Sequence, residues 1–213
     1  LEVVTQDIRV ADRIAQHGFA RSASQLVIDP HPDWFVAWVD NHLARVSRDP
    51  EGVHLSCDTE FAEKAGGADE SELAIDAASV SPITRLNGGN DDVLGWTVPY
   101  RSPYKEHFER LLVGIAQVKG WIWAWNKYAD IDHLRRAGHT IVNECWVDGM
   151  WLWHYLQSDL PRGLGFVAAM ASDFGAWKHW ANVAAKEGEY AAADGVQNWR
   201  VCMWLMKAAL QLG

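Results

Sequence analysis

Cysteines, basic residues and long apolar runs are all scarce in this chain, and each scarcity excludes a class of protein. The 213 residues include 3 cysteines, at positions 57, 145 and 202, which are far apart and never spaced as Cys-x-x-Cys. This pattern predicts neither a disulfide framework nor a zinc site, and it favours a reducing, cytoplasmic setting. No apolar run approaches the length of a membrane-spanning helix, so we expect no membrane partner.

Positive charge is also in short supply. The chain has 19 lysines and arginines against 28 aspartates and glutamates, which gives a formal net charge of −9. Such a balance argues against a broad, nonspecific surface for polyanions. A local contact with phosphate through bound cations remains compatible with it, because those cations offset carboxylate charge. No glycine-rich phosphate-binding motif occurs, and the Gly88-Gly89 pair is interpreted as a hairpin turn.

The length suits one well-packed domain with a small appendage. Helical spacing over 7–18 and 34–46 identifies residues 1–50 as a helical extension or part of a neighbouring module. Residues 51–213 form the predicted main domain. The start of the chain lacks the charged-then-apolar order of a signal peptide. Because the chain opens on Leu1-Glu2 without a methionine, a larger parent protein is compatible with the sequence.

Apolar periodicity and turn residues predict an α/β fold with a mixed sheet. Strands are expected at 53–61, 75–83, 95–100, 121–125 and 141–147, and helices at 105–118, 130–137, 150–156, 164–171, 177–185 and 190–212. Tryptophan is unusually common, with 13 residues. Core packing is the favoured role for Trp121, Trp123 and Trp125, since indole rings bury a large apolar area.

Acidic residues recur in short motifs whose spacing places their side chains together. Asp58 and Glu60 are two apart in a predicted strand and share one face. Tyr190 and Asp194 are four apart in a predicted helix and are neighbours on its surface. With Asp130, these carboxylates would repel one another unless divalent cations lay between them. Ligands that are all hard oxygens suit Mg²⁺ or Mn²⁺, and paired ions of this type drive phosphoryl transfer.

Each motif alone has an ordinary structural explanation. An Asp-x-Glu at a strand end is often a solvated edge, and the Asn126 to Asp130 spacing fits a turn followed by a helix cap. A Tyr-x-x-x-Asp pair is often half-exposed on a helix surface. The order of the motifs, their element types and their separations carry the stronger signal.

In these respects residues from about 53 onwards resemble the DnaQ-like, ribonuclease-H-like 3′–5′ exonucleases, in the DEDD subgroup with a tyrosine in the last motif (DEDDy). Asp58-Thr-Glu60, Asn126-Lys-Tyr-Ala-Asp130 and Tyr190-Ala-Ala-Ala-Asp194 match the three exonuclease motifs, and Trp177-Lys178 falls where a Trp-Lys pair often precedes the third. The nearest resemblance is to the proofreading domain of family A DNA polymerases, especially of phage type, with ribonuclease D second.

The resemblance implies a ribonuclease-H-like mixed five-stranded sheet flanked by helices. It implies two divalent cations, Mg²⁺ or Mn²⁺, bound by Asp58, Glu60, Asp130 and Asp194. Tyr190 would complete the catalytic set by orienting water. The residues expected to contact substrate are Thr59, Phe61 and Asn126.

The implied partner is the 3′ end of single-stranded DNA, with a DNA polymerase domain in the same parent chain. The setting would be DNA replication in the cytoplasm of a bacterial or phage-infected cell. Two alternatives remain open: a 3′–5′ exoribonuclease of ribonuclease D type, and a catalytically silent nucleic-acid-binding or structural domain of the same fold. For Phe61, stacking on a base and packing in the core are equally compatible with the sequence.

Overall fold

The structure, a computed structural model, describes most of the chain. The described residues are 24–48, 53–61, 75–84, 93–172 and 176–212. The helix predicted at 7–18 and the hairpin turn predicted at Gly88-Gly89 lie outside them. No helix in the described part of the chain combines the length and the apolar character that crossing a bilayer requires.

A mixed sheet forms the centre of the fold. Its strands are β1 (Ser24–Ile28), β2 (Val53–Phe61), β3 (Ile75–Thr84), β4 (Val93–Pro99), β5 (Ile122–Ala124) and β6 (Trp146–Asp148). They lie in the order β1-β4-β3-β2-β5-β6. Only β3 runs antiparallel to its neighbours, and the other pairings among the described strands are parallel. The carboxyl ends of β2, β5 and β6 therefore meet at one edge of the sheet, where α/β folds place their ligands.

This architecture confirms the predicted α/β fold with a mixed sheet, but the expected strand count is corrected from five to six. The additional strand is β1, which lies parallel to β4 with Leu26 opposite Gly95 and Ile28 opposite Thr97. Its backbone gives hydrogen-bond partners to an edge of β4 that would otherwise remain unpaired. The expectation for residues 1–50 was a helical extension or part of a neighbouring module, and it did not include this short strand.

Residues 24–48 share the core of the residues that follow them. After β1, helix α1 (Pro32–Arg48) buries Phe35, Val39 and Val46 in the same cluster as Leu55 of β2. The boundary at residue 50 stays a prediction. The structure adds that the residues just before it pack on those after it.

Helices cover both faces of the sheet. They are α2 (Tyr104–Gln117), α3 (Lys127–Arg136), α4 (Gly149–Leu156), α5 (Leu164–Ala171) and α6 (Glu187–Leu212). Helices α1, α2 and α3 contribute to the cluster that contains Leu55, through residues such as Phe108 and Ile131. Helices α4, α5 and α6 form a second cluster around Trp153, Val167 and Leu205. Two helical layers thus enclose the sheet.

Three local predictions are corrected. The strand expected at 141–147 is a 3₁₀ turn over Asn143–Cys145 followed by the short β6. The helix expected at 177–185 is two 3₁₀ turns separated by the extended residue Val183. Trp121, expected in the core, lies just before β5 and is 46% exposed, whereas Trp123 is buried as predicted and Trp125 is half-buried.

Helix α6 crosses the sheet at close range. Three consecutive residues of α6, Ala191, Ala192 and Ala193, are buried and are small enough to allow a close approach of the helix to its neighbours. On β4, Gly95 provides the complementary space. A Cβ at Gly95 would lie 2.7 Å from Val196 Cγ2 and 2.9 Å from the Ala192 carbonyl oxygen.

We predict that Gly95→Ala lowers the free energy of unfolding by about 1–3 kcal/mol, the usual cost of overpacking. The methyl group would meet a helix backbone atom, which cannot rotate away. Gly163→Ala is the matched control, because nothing lies within 4 Å of a Cβ there. Its effect should stay within about 0.5 kcal/mol in urea unfolding followed by tryptophan fluorescence. Equal effects of the two substitutions would contradict the close packing of α6.

Candidate metal centre

Strand alternation directs Asp58 and Glu60 toward helix α6. Leu55 and Cys57 of β2 are fully buried in the core on one face of the sheet. Ser56 points to the other face, where its hydroxyl donates a hydrogen bond to the Gly195 carbonyl of α6 at 3.0 Å. Because side chains alternate along a strand, Asp58 and Glu60 lie on the same face as Ser56.

A buried polar network fixes α6 one turn beyond Asp194. The Asn198 amide donates to Ser56 Oγ at 2.9 Å and to the Trp123 carbonyl at 3.2 Å. Asn198 is 1% exposed, so breaking these bonds would leave polar groups unpaired in the interior. These hydrogen bonds hold the helix against β2 and β5, and they fix the position of Asp194 opposite β2.

Carboxylate oxygens of Asp58, Glu60 and Asp194 lie within 4.8 Å of one another. Ligand oxygens lie about 2.0–2.6 Å from Mg²⁺ or Ca²⁺, so two ligands of one ion are separated by no more than about 5 Å. The spacing and the all-oxygen donor set therefore fit a hard divalent cation. The structure brings together the residues that the first and third motifs predicted.

Burial and mutual repulsion disfavour the charged forms of these carboxyls. Burial raises the pKa of Asp58 well above its ordinary range, and the charges of Asp130, Asp194 and Glu60 raise it further. Burial also raises the pKa of Glu60 to about 7, with Asp194 the main charge that adds to it. Lys178 acts in the opposite sense on both groups. A site of this kind gains stability from added positive charge.

Asp130 lies beside the group of three rather than within it. It occupies the first turn of α3, not the preceding turn, and its Oδ1 accepts hydrogen bonds from the Thr59 backbone N–H at 2.9 Å and hydroxyl at 2.6 Å. Burial raises its pKa to about 7, although the Thr59 hydrogen bonds oppose the rise. Thr59 is itself buried and holds Asp130 through these hydrogen bonds, and its predicted contact with substrate stays a prediction.

Asp148 joins the starts of two helices behind this site. Its carboxylate accepts hydrogen bonds from the backbone N–H groups of Asn126 at 3.3 Å and Lys127 at 3.1 Å, which begin α3. It also caps α4 through the N–H groups of Met150 and Trp151. The link to α3 joins residues that are distant in the chain, so local sequence spacing does not reveal it.

Asn126 and Phe61 are both predicted to contact substrate, and both contacts stay predictions. Asn126 is exposed and adopts a left-handed backbone with φ 64°, and its side chain forms no cap on α3. Phe61 ends β2 at a register shift that follows Glu60. Bulges of this kind often re-aim residues next to active sites. The Phe61 side chain lies outside the described part of the structure, so its role stays a prediction.

Tyr190 lies one helical turn before Asp194, as the third motif predicted. Burial raises the pKa of its phenol, and the charges of Asp194 and Glu60 raise it further. The hydroxyl therefore stays protonated at neutral pH and can donate or accept hydrogen bonds. This state suits a group that orients water and excludes a role as general base.

Trp177 and Lys178 complete the surroundings of Asp194. The buried Trp177 indole N–H donates to Asp194 Oδ1. Lys178 Nζ donates to both carboxylate oxygens of Asp194 at 2.7 Å and to the Tyr190 hydroxyl at 3.3 Å. The sequence marked this pair only by its place before the third motif, since no periodicity links residue 178 to residue 194.

The fold matches solved structures of nuclease domains, which confirms the ribonuclease-H-like class. The Aedes aegypti Nibbler EXO domain aligns with a TM-score of 0.57 and 14% identity, covering 90% of both chains. A nuclease in its apo form aligns with a TM-score of 0.57 and 13% identity, covering 90% of this chain and 83% of the other. Likeness at these identities concerns the fold. No protein-family model and no curated protein matches the sequence.

We predict that the protein in EDTA loses stability as the pH rises from about 4 to about 7. Glu60 and Asp130 have pKa values raised to about 7, so the folded protein holds protons that the unfolded chain has released. The free energy of unfolding falls wherever the folded state binds more protons. Thermal unfolding measured at about pH 5 and pH 7 checks the sign. A rise in melting temperature over this interval would contradict it.

Asp58→Asn should raise stability in EDTA by about 1–3 kcal/mol, with the larger gain at about pH 8. The amide removes a partly buried negative charge that Asp130, Asp194 and Glu60 repel. The matched control is Asp132→Asn, an exposed acid on α3 outside the group. It should change stability little at either pH. Destabilisation by Asp58→Asn would mean that repulsion does not dominate the site.

Proposed function

We propose that the protein is a metal-dependent 3′–5′ exonuclease that releases nucleoside 5′-monophosphates from single-stranded DNA. The observation that carries this proposal is the convergence of Asp58, Glu60 and Asp194 within 4.8 Å, on a fold shared with nuclease domains. Strand β2 and helix α6 each hold their share of the ligands through backbone pairing and buried contacts. Metal catalysis requires that the protein hold the ligands of the ion rigidly.

Each residue of the site has a separate role in the proposed reaction. Divalent cations bound here would activate water and stabilise charge on the phosphate and the leaving 3′ oxygen. The group of three carboxylates would hold one ion, and Asp130, beside Asp58, would help to hold a second. Tyr190 keeps its proton and would orient the attacking water by hydrogen bonding. Thr59 keeps Asp130 in position through its hydroxyl and backbone N–H.

DNA is the proposed substrate because the motifs resemble those of polymerase proofreading domains most closely. Asn126, four residues before Asp130, favours the phage type of family A. A proofreading domain removes mismatched 3′ ends during DNA replication, and it would work with a polymerase domain of the same parent chain in the cytoplasm. A single-stranded end suits the chemistry, since a paired terminal nucleotide must first be separated at a cost in free energy.

We expect the purified chain to shorten a 5′-labelled single-stranded DNA from its 3′ end in Mg²⁺ or Mn²⁺ and to be inactive in EDTA. Asp194→Asn should lower the rate by at least about a hundredfold, because a metal ligand contributes several kcal/mol to transition-state stabilisation. Asp132→Asn, exposed on α3, is the matched control and should keep the wild-type rate. Denaturing gels that resolve single nucleotides provide the measurement.

The same experiment separates the alternatives. An RNA oligomer of identical sequence, degraded faster than the DNA, would indicate an exoribonuclease of ribonuclease D type. Binding of either oligomer without metal-dependent cleavage would indicate a catalytically silent domain. Equal rates for Asp194→Asn and wild type would show that the third motif was assigned wrongly.

A further inference from the structure

Lys178 places a positive charge directly on a predicted metal ligand. Its Nζ lies 2.7 Å from each carboxylate oxygen of Asp194, so the ammonium spans the carboxylate symmetrically. The Asp194 side chain is 7% exposed, whereas that of Lys178 is 41% exposed. The Lys178 ammonium therefore lies between solvent and the buried carboxylate of Asp194.

Packing contacts hold the Lys178 side chain next to Asp194. Gly165, at the start of α5, leaves room for it, since a Cβ there would lie 3.0 Å from Lys178 Cγ. The ammonium lies 5.5 Å from the ring centre of Trp177 and 5.0 Å from that of Tyr190, within the range of cation–π attraction. Contacts on several sides distinguish this lysine from a loosely held surface residue.

Asp194 does not depend on Lys178 for its orientation. The indole of Trp177, 3% exposed, donates a hydrogen bond to Asp194 Oδ1 from the interior. Helix α6 holds the backbone through the Asn198 network. The carboxylate can therefore stay in place when the ammonium moves, and the half-exposed lysine has solvent into which it can move.

We propose that Lys178 is the internal counter-cation of the acidic site and competes with a divalent ion for Asp194. The inference rests on the proposed function, because it takes Asp58, Glu60 and Asp194 as the ligands of that ion. An ammonium on both oxygens of Asp194 and a divalent ion bound to the same carboxylate would lie a few ångströms apart. Their repulsion in a buried setting disfavours simultaneous binding.

Two consequences distinguish this role from ordinary structural support. Lys178 stabilises the carboxylates when no other cation is bound, and it weakens the binding of a metal that must displace it. A residue that only supported the ligand geometry would strengthen metal binding. The direction of the change in metal affinity on removing the ammonium therefore decides between the two.

The test is calorimetric titration of the full chain with Mn²⁺ without nucleic acid. Lys178→Met removes the ammonium and keeps a long apolar stem, and it should bind Mn²⁺ about 5- to 50-fold more tightly than wild type, within the usual range of couplings between sites. Lys178→Arg keeps the charge and should bind no more tightly than wild type. Lys186→Met is the matched control, because Lys186 also pairs with a carboxylate, at 2.9 Å from Glu189, and its side chain is 40% exposed.

Thermal unfolding gives a second readout. Lys178→Met should melt below wild type in EDTA, and saturating Mg²⁺ should raise its melting temperature by more than it raises that of wild type. Should this variant fail to fold, NMR of the wild-type lysine ammonium groups answers the same question. Added Mg²⁺ should shift the Lys178 signal, assigned through Lys178→Arg, and leave the Lys186 signal in place.

Unchanged or weaker Mn²⁺ binding by Lys178→Met would overturn the proposal while leaving the metal site intact. A Lys178 ammonium signal that ignores saturating Mg²⁺ would do the same. Absence of Mn²⁺ binding both to the wild type and to Lys178→Met would refute this inference and the proposed function together. These outcomes separate a wrong role for Lys178 from a wrong assignment of the site.

Discussion

Repulsion among buried and partly buried carboxylates is the constraint on which the rest of the structure depends. Asp58, Glu60 and Asp194 lie within 4.8 Å of one another, and burial strengthens the interaction because the surrounding protein screens charge poorly. Either a proton or a cation can relieve it. Burial, together with the charge of Asp194, raises the pKa of Glu60 to about 7 and so favours a proton, and the Lys178 ion pair with Asp194 is an example of relief by a cation.

The scaffold resists this repulsion by being rigid where the acids attach. Strand β2 lies inside the sheet, where β3 pairs with it opposite Asp58 and Glu60 and β5 pairs with it at Leu55 and Ser56. The backbone that carries the two acids is therefore held in place by its neighbours. Helix α6 is held close by its small residues and by the bonds from Asn198 to Ser56 and to the strand beside it. Asp148 then sets the position of α3, which carries Asp130. Strand pairing and helix packing thus keep the carboxylates close together, although their mutual repulsion is unfavourable.

Local spacing was enough to predict which side chains lie together when they belong to the same strand or the same helix. The two-residue spacing of Asp58 and Glu60 and the four-residue spacing of Tyr190 and Asp194 placed these groups correctly on their strand and helix. Residues that act through tertiary contacts could not be found in this way. Lys178 reaches Asp194 from a 3₁₀ turn, and Asp148 reaches the start of α3 across the sheet edge. The strand β1 was missed for a related reason, because five residues are too few for periodicity to distinguish a strand from a helix.

Binding of a divalent cation by the acidic group is the central claim, and crystals grown or soaked with Mn²⁺ test it most directly. The account predicts an anomalous scattering peak bonded to carboxylate oxygens of Asp58, Glu60 and Asp194 at about 2.2 Å, with the Lys178 ammonium moved away from Asp194. Manganese bound only elsewhere on the protein, with the Lys178–Asp194 pair intact at a saturating concentration, would contradict it.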